Sequence, residues 1–437
     1  MLGGGDTIFA LSSGGGKAGV AVVRLSGAGS EAALEALGGK ANPRPRALHR
    51  VDLTGSDGLL IDEAMAVVFE GPKSFTGEDV VELHCHGSPA VVRALLAELG
   101  GMSGLRPAEA GEFTQRAFLN GKMDLASVEG LGDLIDAQTE AQRRLSLRQL
   151  GGALSDEVFR WREEIITFRA ESEAWIDFPD EDLPTDFFPT LRGRTERLAD
   201  EMEKAVEGSH RLAAHVRDGF TVALVGLPNV GKSSLLNALA ARDVAIVTEI
   251  AGTTRDVISV PIDLDGFLVN VVDTAGIRET DDAVESIGVE RARAAAAEAD
   301  LVLWLLDERG EDSSLVADLH EDRLVRVATK QDLWRSYQVE LGVSVKTGEG
   351  LDAVLALVRD RLIGEDSVDA ILPMGRQRHA TQIATAVASL RESTEHEELA
   401  LLAEHLRDAS TALGRITGAV DVEDVLDHIF SRFCIGK

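Results

Sequence analysis

The chain has 437 residues, enough for two to four domains at about 150 residues each. Hydrophobic residues make up 44% and charged residues 27%, ordinary values for a protein with real cores, which excludes disorder as its main state. The 44 Lys and Arg against 74 Asp and Glu leave a net charge of −30. That disfavours free-standing nonspecific nucleic-acid binding, so any RNA contact needs a local basic patch or a basic partner.

Residues 1–119 alternate short apolar runs with glycine clusters. Val20–Leu25 and Val80–His84 read as strands, Ser30–Leu37 and Pro89–Leu99 as helices, which predicts a compact α+β domain. From 120 to 217 the spacing turns helical, with long stretches over Leu131–Leu150 and Leu191–Val216 and an acidic insert, Asp177–Pro184, expected as an exposed loop. Residues 218–371 alternate β-branched strands with helices, as in a parallel α/β sheet. Residues 372–437 are helical again, so the α/β domain is expected as an insertion into a helical domain. The fold class expected is multidomain α/β. Two distant cysteines, Cys85 and Cys434, make no disulfide framework and suit a reducing cytosol. Without a basic, apolar leader or a long apolar run, a soluble cytoplasmic chain with no membrane partner is expected.

The strongest chemical signal is Gly226-Leu227-Pro228-Asn229-Val230-Gly231-Lys232-Ser233-Ser234, which follows the strand-like Thr221–Val225 and opens the helix-like Leu235–Leu239. That is the setting of a phosphate-binding loop: backbone N–H groups and a helix N-terminus close around phosphate oxygens. Lys232 then reaches the β- and γ-phosphates and Ser233 ligates Mg²⁺. Three later motifs select GTP. Asp273-Thr274-Ala275-Gly276 ends a strand with a carboxylate for a Mg²⁺ water and a glycine N–H for the γ-phosphate. Thr329-Lys330-Gln331-Asp332 offers a carboxylate that accepts from guanine N1 and N2, which adenine cannot match. Ser344-Val345-Lys346 can present a backbone N–H to guanine O6. Between loop and Asp273 runs Thr248-Glu249-Ile250-Ala251-Gly252-Thr253-Thr254, whose Thr254 is a second candidate Mg²⁺ ligand.

These motifs, with Asp6-Thr7-Ile8, GVAVVRLSG over 19–27, Ser74–Asp79, GEFTQRAFLNGK over 111–122 and a terminal CIGK after Phe433, resemble the tRNA-uridine modification GTPase family known as MnmE or TrmE. The resemblance covers the whole chain. It implies a homodimeric, K⁺-stimulated GTPase that works with an FAD-carrying flavoprotein (MnmG/GidA), as a heterotetramer, on C5 of the wobble uridine of certain tRNAs. The N-terminal domain is then expected to bind 5-formyltetrahydrofolate or a related reduced folate, at positions matching Arg24, Glu82, Lys122 and Lys437. Family positions also match Asn229 and the carbonyls of Thr248, Ile250 and Thr253 to a K⁺ site, and Glu285 to the residue that orients attacking water.

Ile277 stands where many GTPases carry a water-orienting Gln, so another group must do that work. Thr329 replaces the usual Asn of the guanine motif, which predicts loss of a brace on the phosphate loop and weaker nucleotide binding. Cys434 has two readings: a catalytic thiol near the folate, or a small buried apolar residue closing a helix bundle. His84-Cys85-His86 places its two histidines on one strand face, with no fourth ligand nearby for a metal. The alternative function is a ribosome-assembly switch GTPase without modifying activity, which leaves the folate-like domain and the CIGK tail unexplained.

Overall fold

The computed structural model describes residues 5–41, 43–177, 184–242, 246, 258–273, 293–310, 313–334, 339, 341–363, 368–396, 398–420, 426, 429–431 and 433–436. Compactness divides the chain into two units: 1–132, 155–167 and 407–437 in one, 133–154 and 168–406 in the other.

The first unit holds β1 (Thr7–Leu11), β2 (Ala21–Ser26), α1 (Ser30–Ala36), β3 (His49–Thr54), β4 (Leu60–Phe69), β5 (Val80–Cys85), α2 (Pro89–Gly101), β6 (Leu105–Pro107), α3 (Glu112–Leu119) and most of α4 (Leu125–Asp136). Its six strands run in the order β3-β4-β5-β2-β1-β6, antiparallel except for the parallel β1–β6 pair. Strand alternation explains the sidedness. Ala21, Val23 and Leu25 of β2, with Leu83 and Cys85 of β5, enter a core with Leu95 and Leu99 of α2, while Arg24, Glu82 and His84 take the other face. The end of the chain packs on this sheet. Ile435 bridges Ala110, and the Gly436 carbonyl accepts from Ser12 Oγ at 2.8 Å. A side chain at Gly436, whose φ is +102°, would run into the Leu11 carbonyl.

The second unit holds α5 (Glu140–Leu150), α7 (Phe187–Asp218), β7 (Phe220–Gly226), α8 (Lys232–Ala240), β8 (Ile258–Leu264), β9 (Phe267–Asp273), β10 (Leu301–Leu306), β11 (Leu324–Ala328), β12 (Leu341–Gly342), α9 (Leu351–Leu362) and α10 (Gln377–Thr394). Helices α6 (Ala153–Asp177) and α11 (Leu399–Thr417) run from one unit into the other. The strand order is β12-β11-β10-β7-β9-β8 around the wholly buried β10. The sheet is parallel save for β8, which pairs antiparallel with β9. Asp265 and Gly266, both at positive φ, make the two-residue turn between them. The helical stretch expected over Leu131–Leu150 is two helices, because Thr139 caps α5 in a reciprocal box with Gln142. Most of the acidic insert, residues 178–183, lies outside the described residues.

Candidate nucleotide site

Gly226 ends β7 where only a residue without Cβ fits: an added Cβ would stand 2.5 Å from the Leu305 carbonyl of β10. The chain then turns through Asn229 (φ +57°) and Gly231 (φ +116°) into α8. Lys232 Nζ donates to the carbonyls of Gly226 (2.8 Å) and Leu227 (3.1 Å), curling its buried side chain over the loop. Burial pushes its pKa down, and Arg309 adds to that while Asp273 opposes it. Ser233 Oγ donates to Asp273 Oδ2 at 2.5 Å. A hydroxyl and a carboxylate side by side at a helix start form a hard oxygen pair that fits Mg²⁺. The Asn229 side chain is exposed, leaving a neutral amide oxygen that suits K⁺. Thr248–Thr254, Thr274–Gly276, Ile277 and Glu285 lie outside the described residues.

At the other end of the loop, Ser344 Oγ donates to Asp332 Oδ1 at 2.8 Å, and Lys346 Nζ stands 3.9 Å from Oδ2. The two segments expected to read the base, with Asp332 and Ser344 twelve residues apart, therefore meet through side chains. Thr329 behaves differently from the expectation. Its hydroxyl donates to the Val230 carbonyl at 2.6 Å, with the Leu306 carbonyl at 3.1 Å. The brace on the phosphate loop is thus kept by a shorter side chain, buried against the strand ends.

One further group has no motif of its own in the sequence. Asp307, directly after β10 and buried, accepts from Arg309 Nη2 (2.7 Å) and Lys330 Nζ (3.0 Å). Arg309 Nη2 also donates to the Pro228 carbonyl, and Lys330 Nζ to the Asn229 carbonyl, both at 2.8 Å. One carboxylate so aims two cations at successive carbonyls of the phosphate loop. Hydrogen bonds from Arg309, and then from Lys330, hold the Asp307 carboxyl far below the usual carboxylate range against the opposing effect of burial. The available signal was a fully apolar strand, Leu301–Leu306, ending abruptly in Asp307-Glu308-Arg309. Asp307→Asn should destabilise the chain by about 2–3 kcal/mol in urea titration. That is below the usual cost of breaking a buried pair, because both cations keep access to water. A depressed carboxylate stabilises above its unfolded pKa and loses that contribution as pH falls through the folded one. Wild type and variant should therefore converge in acid, and equal stability at neutral pH would overturn the role.

In the first unit, Arg24 and Glu82 face each other across β2 and β5. Arg24 Nη2 is 2.9 Å and Nε 3.0 Å from Glu82 Oε1. The Arg24 guanidinium lies 5.3 Å over the Phe75 ring and 5.7 Å over that of Phe113, and His84 Nε2 stands 3.5 Å from Glu82 Oε2. Lys122 Nζ donates at 2.8 Å to the carbonyl of Pro72, on the loop that carries Phe75. Lys437 is outside the described residues. His84 joins the pair through strand register, while Phe75 comes from the loop after β4 and Phe113 from α3. Cys434 does not close a helix bundle. It is exposed and lines a cavity of about 580 Å³ with Phe9, Ser13, Gly15, Leu96 and Pro107, because the tail is strapped to β1. Arg24, Glu82 and Lys122 are not among the residues lining that cavity. His84 and His86 point outward to carboxylates, Glu82 and Asp62, while Cys85 is buried.

Two family descriptions match this chain: "MnmE helical domain" over residues 125–434, and "GTP-binding protein TrmE N-terminus" over residues 7–122. The chain belongs to the MnmE family. The relative named tRNA modification GTPase MnmE in Rhodospirillum rubrum is 48% identical, over 99% of this chain and 99% of that one. Its MnmE counterpart in Cereibacter sphaeroides is 49% identical over 99% and 100%. The solved structure of Era from Aquifex aeolicus is 24% identical, covers 41% of this chain and 68% of that one, and has a TM-score of 0.26. As an MnmE-family chain, this one combines an N-terminal α+β domain, a helical domain and a phosphate-loop GTPase domain. No helix among the described residues is long and apolar enough to cross a membrane.

Proposed function

We propose that the chain hydrolyses GTP in the service of tRNA modification. The observation that carries this is the joining of Asp332 to Ser344 at the base end of a phosphate loop, in a chain that matches MnmE relatives over nearly its whole length. On this reading Lys232 exchanges its loop carbonyls for phosphate oxygens, Thr329 and the Asp307 cluster keep the loop in shape, and Asp332 accepts from guanine. Ser233, with Thr254, would hold Mg²⁺, which neutralises phosphate charge when bound. The domain limits of this reading are 1–119, 120–217, 218–371 and 372–437.

The finer reading adds K⁺ stimulation through Asn229, folate binding at Arg24, Glu82, Lys122 and Lys437, a homodimer in the cytoplasm, and an FAD-dependent partner. The support at Asn229 is its exposed amide beside a carbonyl already held by Lys330. Hydrolysis should run far faster in K⁺ than in Na⁺ buffer, and Asn229→Ala should remove the difference; equal wild-type rates in both salts would sink the assignment. For the folate, the support is a carboxylate and a guanidinium bracketed by aromatic rings, a set able to meet an amide-and-amine heterocycle. Cells lacking the gene should lose the C5-modified wobble nucleoside in mass spectra of tRNA digests. Glu82→Ala should fail to restore it while keeping GTP hydrolysis. An unchanged nucleoside profile in the deletion would leave a ribosome-assembly switch as the surviving function.

A further inference from the structure

We propose that the exposed basic surface made by the 40–50 run and the Pro72–Lys73 turn of the N-terminal unit docks the phosphate backbone of tRNA, an inference that rests on the tRNA-modification reading above. The chain carries 74 acidic residues, yet none occurs between Glu35 and Asp52, where Lys40, Arg44, Arg46 and Arg50 fall close together. In the same unit Arg24, Arg106 and Arg116 each pair with a carboxylate, and Arg50, at the end of the run, pairs with Glu63. Among the described residues, Lys40, Arg44, Arg46 and Lys73 have no carboxylate within ion-pairing distance, although all four are exposed. In so acidic a protein, cations left unpaired point to an anion that comes from outside.

The fold holds these cations ready. Arg46 is anchored by its N–H to the Val68 carbonyl at 2.8 Å, its guanidinium lies 5.5 Å over the Phe69 ring, and it donates to the Lys73 carbonyl. The neighbouring Pro72 carbonyl accepts from Lys122, so a single turn gathers charge from three parts of the chain. Pro43 and Pro45 stiffen the run, and the His49 ring meets the Arg44 carbonyl at 3.1 Å. Of the acids on this side, Asp79 accepts from the Gly71 N–H at 2.9 Å, and Asp79, Glu70 and Glu35 lie near Glu31, whose carboxyl is pushed up first by burial and then by their charge. The patch has one large exposed apolar residue, Leu48. A protein partner would want an aromatic or aliphatic centre; spaced cations on a stiff backbone fit phosphates, which position a nucleic acid without reading its bases.

The test is anisotropy titration of the full chain with labelled tRNA across a salt series, for wild type and for Lys40→Glu/Arg44→Glu/Lys73→Glu. The variant should bind at least tenfold more weakly. Its log K against log salt should flatten by about 2–3, near one unit per lost phosphate contact. The corresponding Gln triple, which removes charge without adding repulsion, should fall between the two. GTP hydrolysis without tRNA should be unchanged in both. Equal affinity and slope in wild type and variants would overturn the proposal, as would a wild type that binds no tRNA. So would intact tRNA binding with lost capture of the flavoprotein, which would make the patch a protein dock. The nucleoside measurement judges the modification reading separately, so either idea can fail alone.

Discussion

Asp332→Asn is expected to turn the enzyme from GTP toward xanthosine triphosphate by about 10²- to 10³-fold, a few kcal/mol. Guanine offers two donors, N1–H and the N2 amine, and a carboxylate accepts both. Xanthine keeps N1–H but carries an oxygen at C2, which needs a donor; an amide supplies one acceptor and one donor. Ser344 makes the exchange clean, because its hydroxyl already donates to one oxygen of Asp332 at 2.8 Å and can go on donating to the amide oxygen. Lys346, 3.9 Å from the other oxygen and well exposed, can swing away from the new NH₂. Competition binding with GTP and xanthosine triphosphate measures the change directly. A variant that still prefers GTP would place guanine recognition outside Asp332.

The nucleotide loop was legible because its chemistry is contiguous: glycines, Lys232 and Ser233 sit within eight residues of Gly226, between a strand and a helix. Groups built by distant segments were not. Asp307 takes its second cation, Lys330, from 23 residues away and serves a loop some eighty residues upstream. No local pattern records that. Thr329 shows a different limit: judged as a missing Asn it reads as a loss, whereas burial next to Val230 lets a hydroxyl make the bond. The antiparallel β8 departs from the parallel sheet that the alternating strand–helix pattern predicts, because Asp265-Gly266 is a strong hairpin signal that turns β8 straight back along β9. Arg24 and Glu82, singled out through the family resemblance, are direct cross-strand neighbours, which only the β2–β5 register reveals. Their engagement with each other, and with Phe75 and Phe113, needed register and loop geometry. The seat of Cys434 depends on the tail crossing β1, a contact more than 400 residues long in sequence.

Glu285→Ala should lower turnover by about 10²- to 10⁴-fold with little change in GTP affinity, the range expected when a positioned base or water-orienting group is removed. The family resemblance assigns this task to Glu285, and the apolar Ile277 leaves room for such a group. Ile277 has no polar atom with which to hold water. Three carboxylates of the site are already engaged: Asp273 accepts from Ser233, Asp307 is tied to Arg309 and Lys330, and Asp332 accepts from Ser344. Freeing any of them would break the Ser233–Asp273 pair, the Asp307 brace on the loop or the Asp332–Ser344 contact. Hydrolysis still needs a group that accepts a proton, or orients the water that loses it, at the γ-phosphate. Glu285 lies in the segment after Asp273 that the family resemblance assigns to this task. Single-turnover hydrolysis separates the alternatives, because a lost water-orienting group slows the chemical step while nucleotide binding by fluorescence stays within about twofold of wild type. Glu285→Gln keeps hydrogen bonding but not basicity. Near-normal turnover in that variant would make Glu285 an orienting group, and a loss as deep as in Glu285→Ala would make it a proton acceptor. If binding collapses together with turnover, Glu285 holds the fold of its segment, and the water must be oriented by another residue.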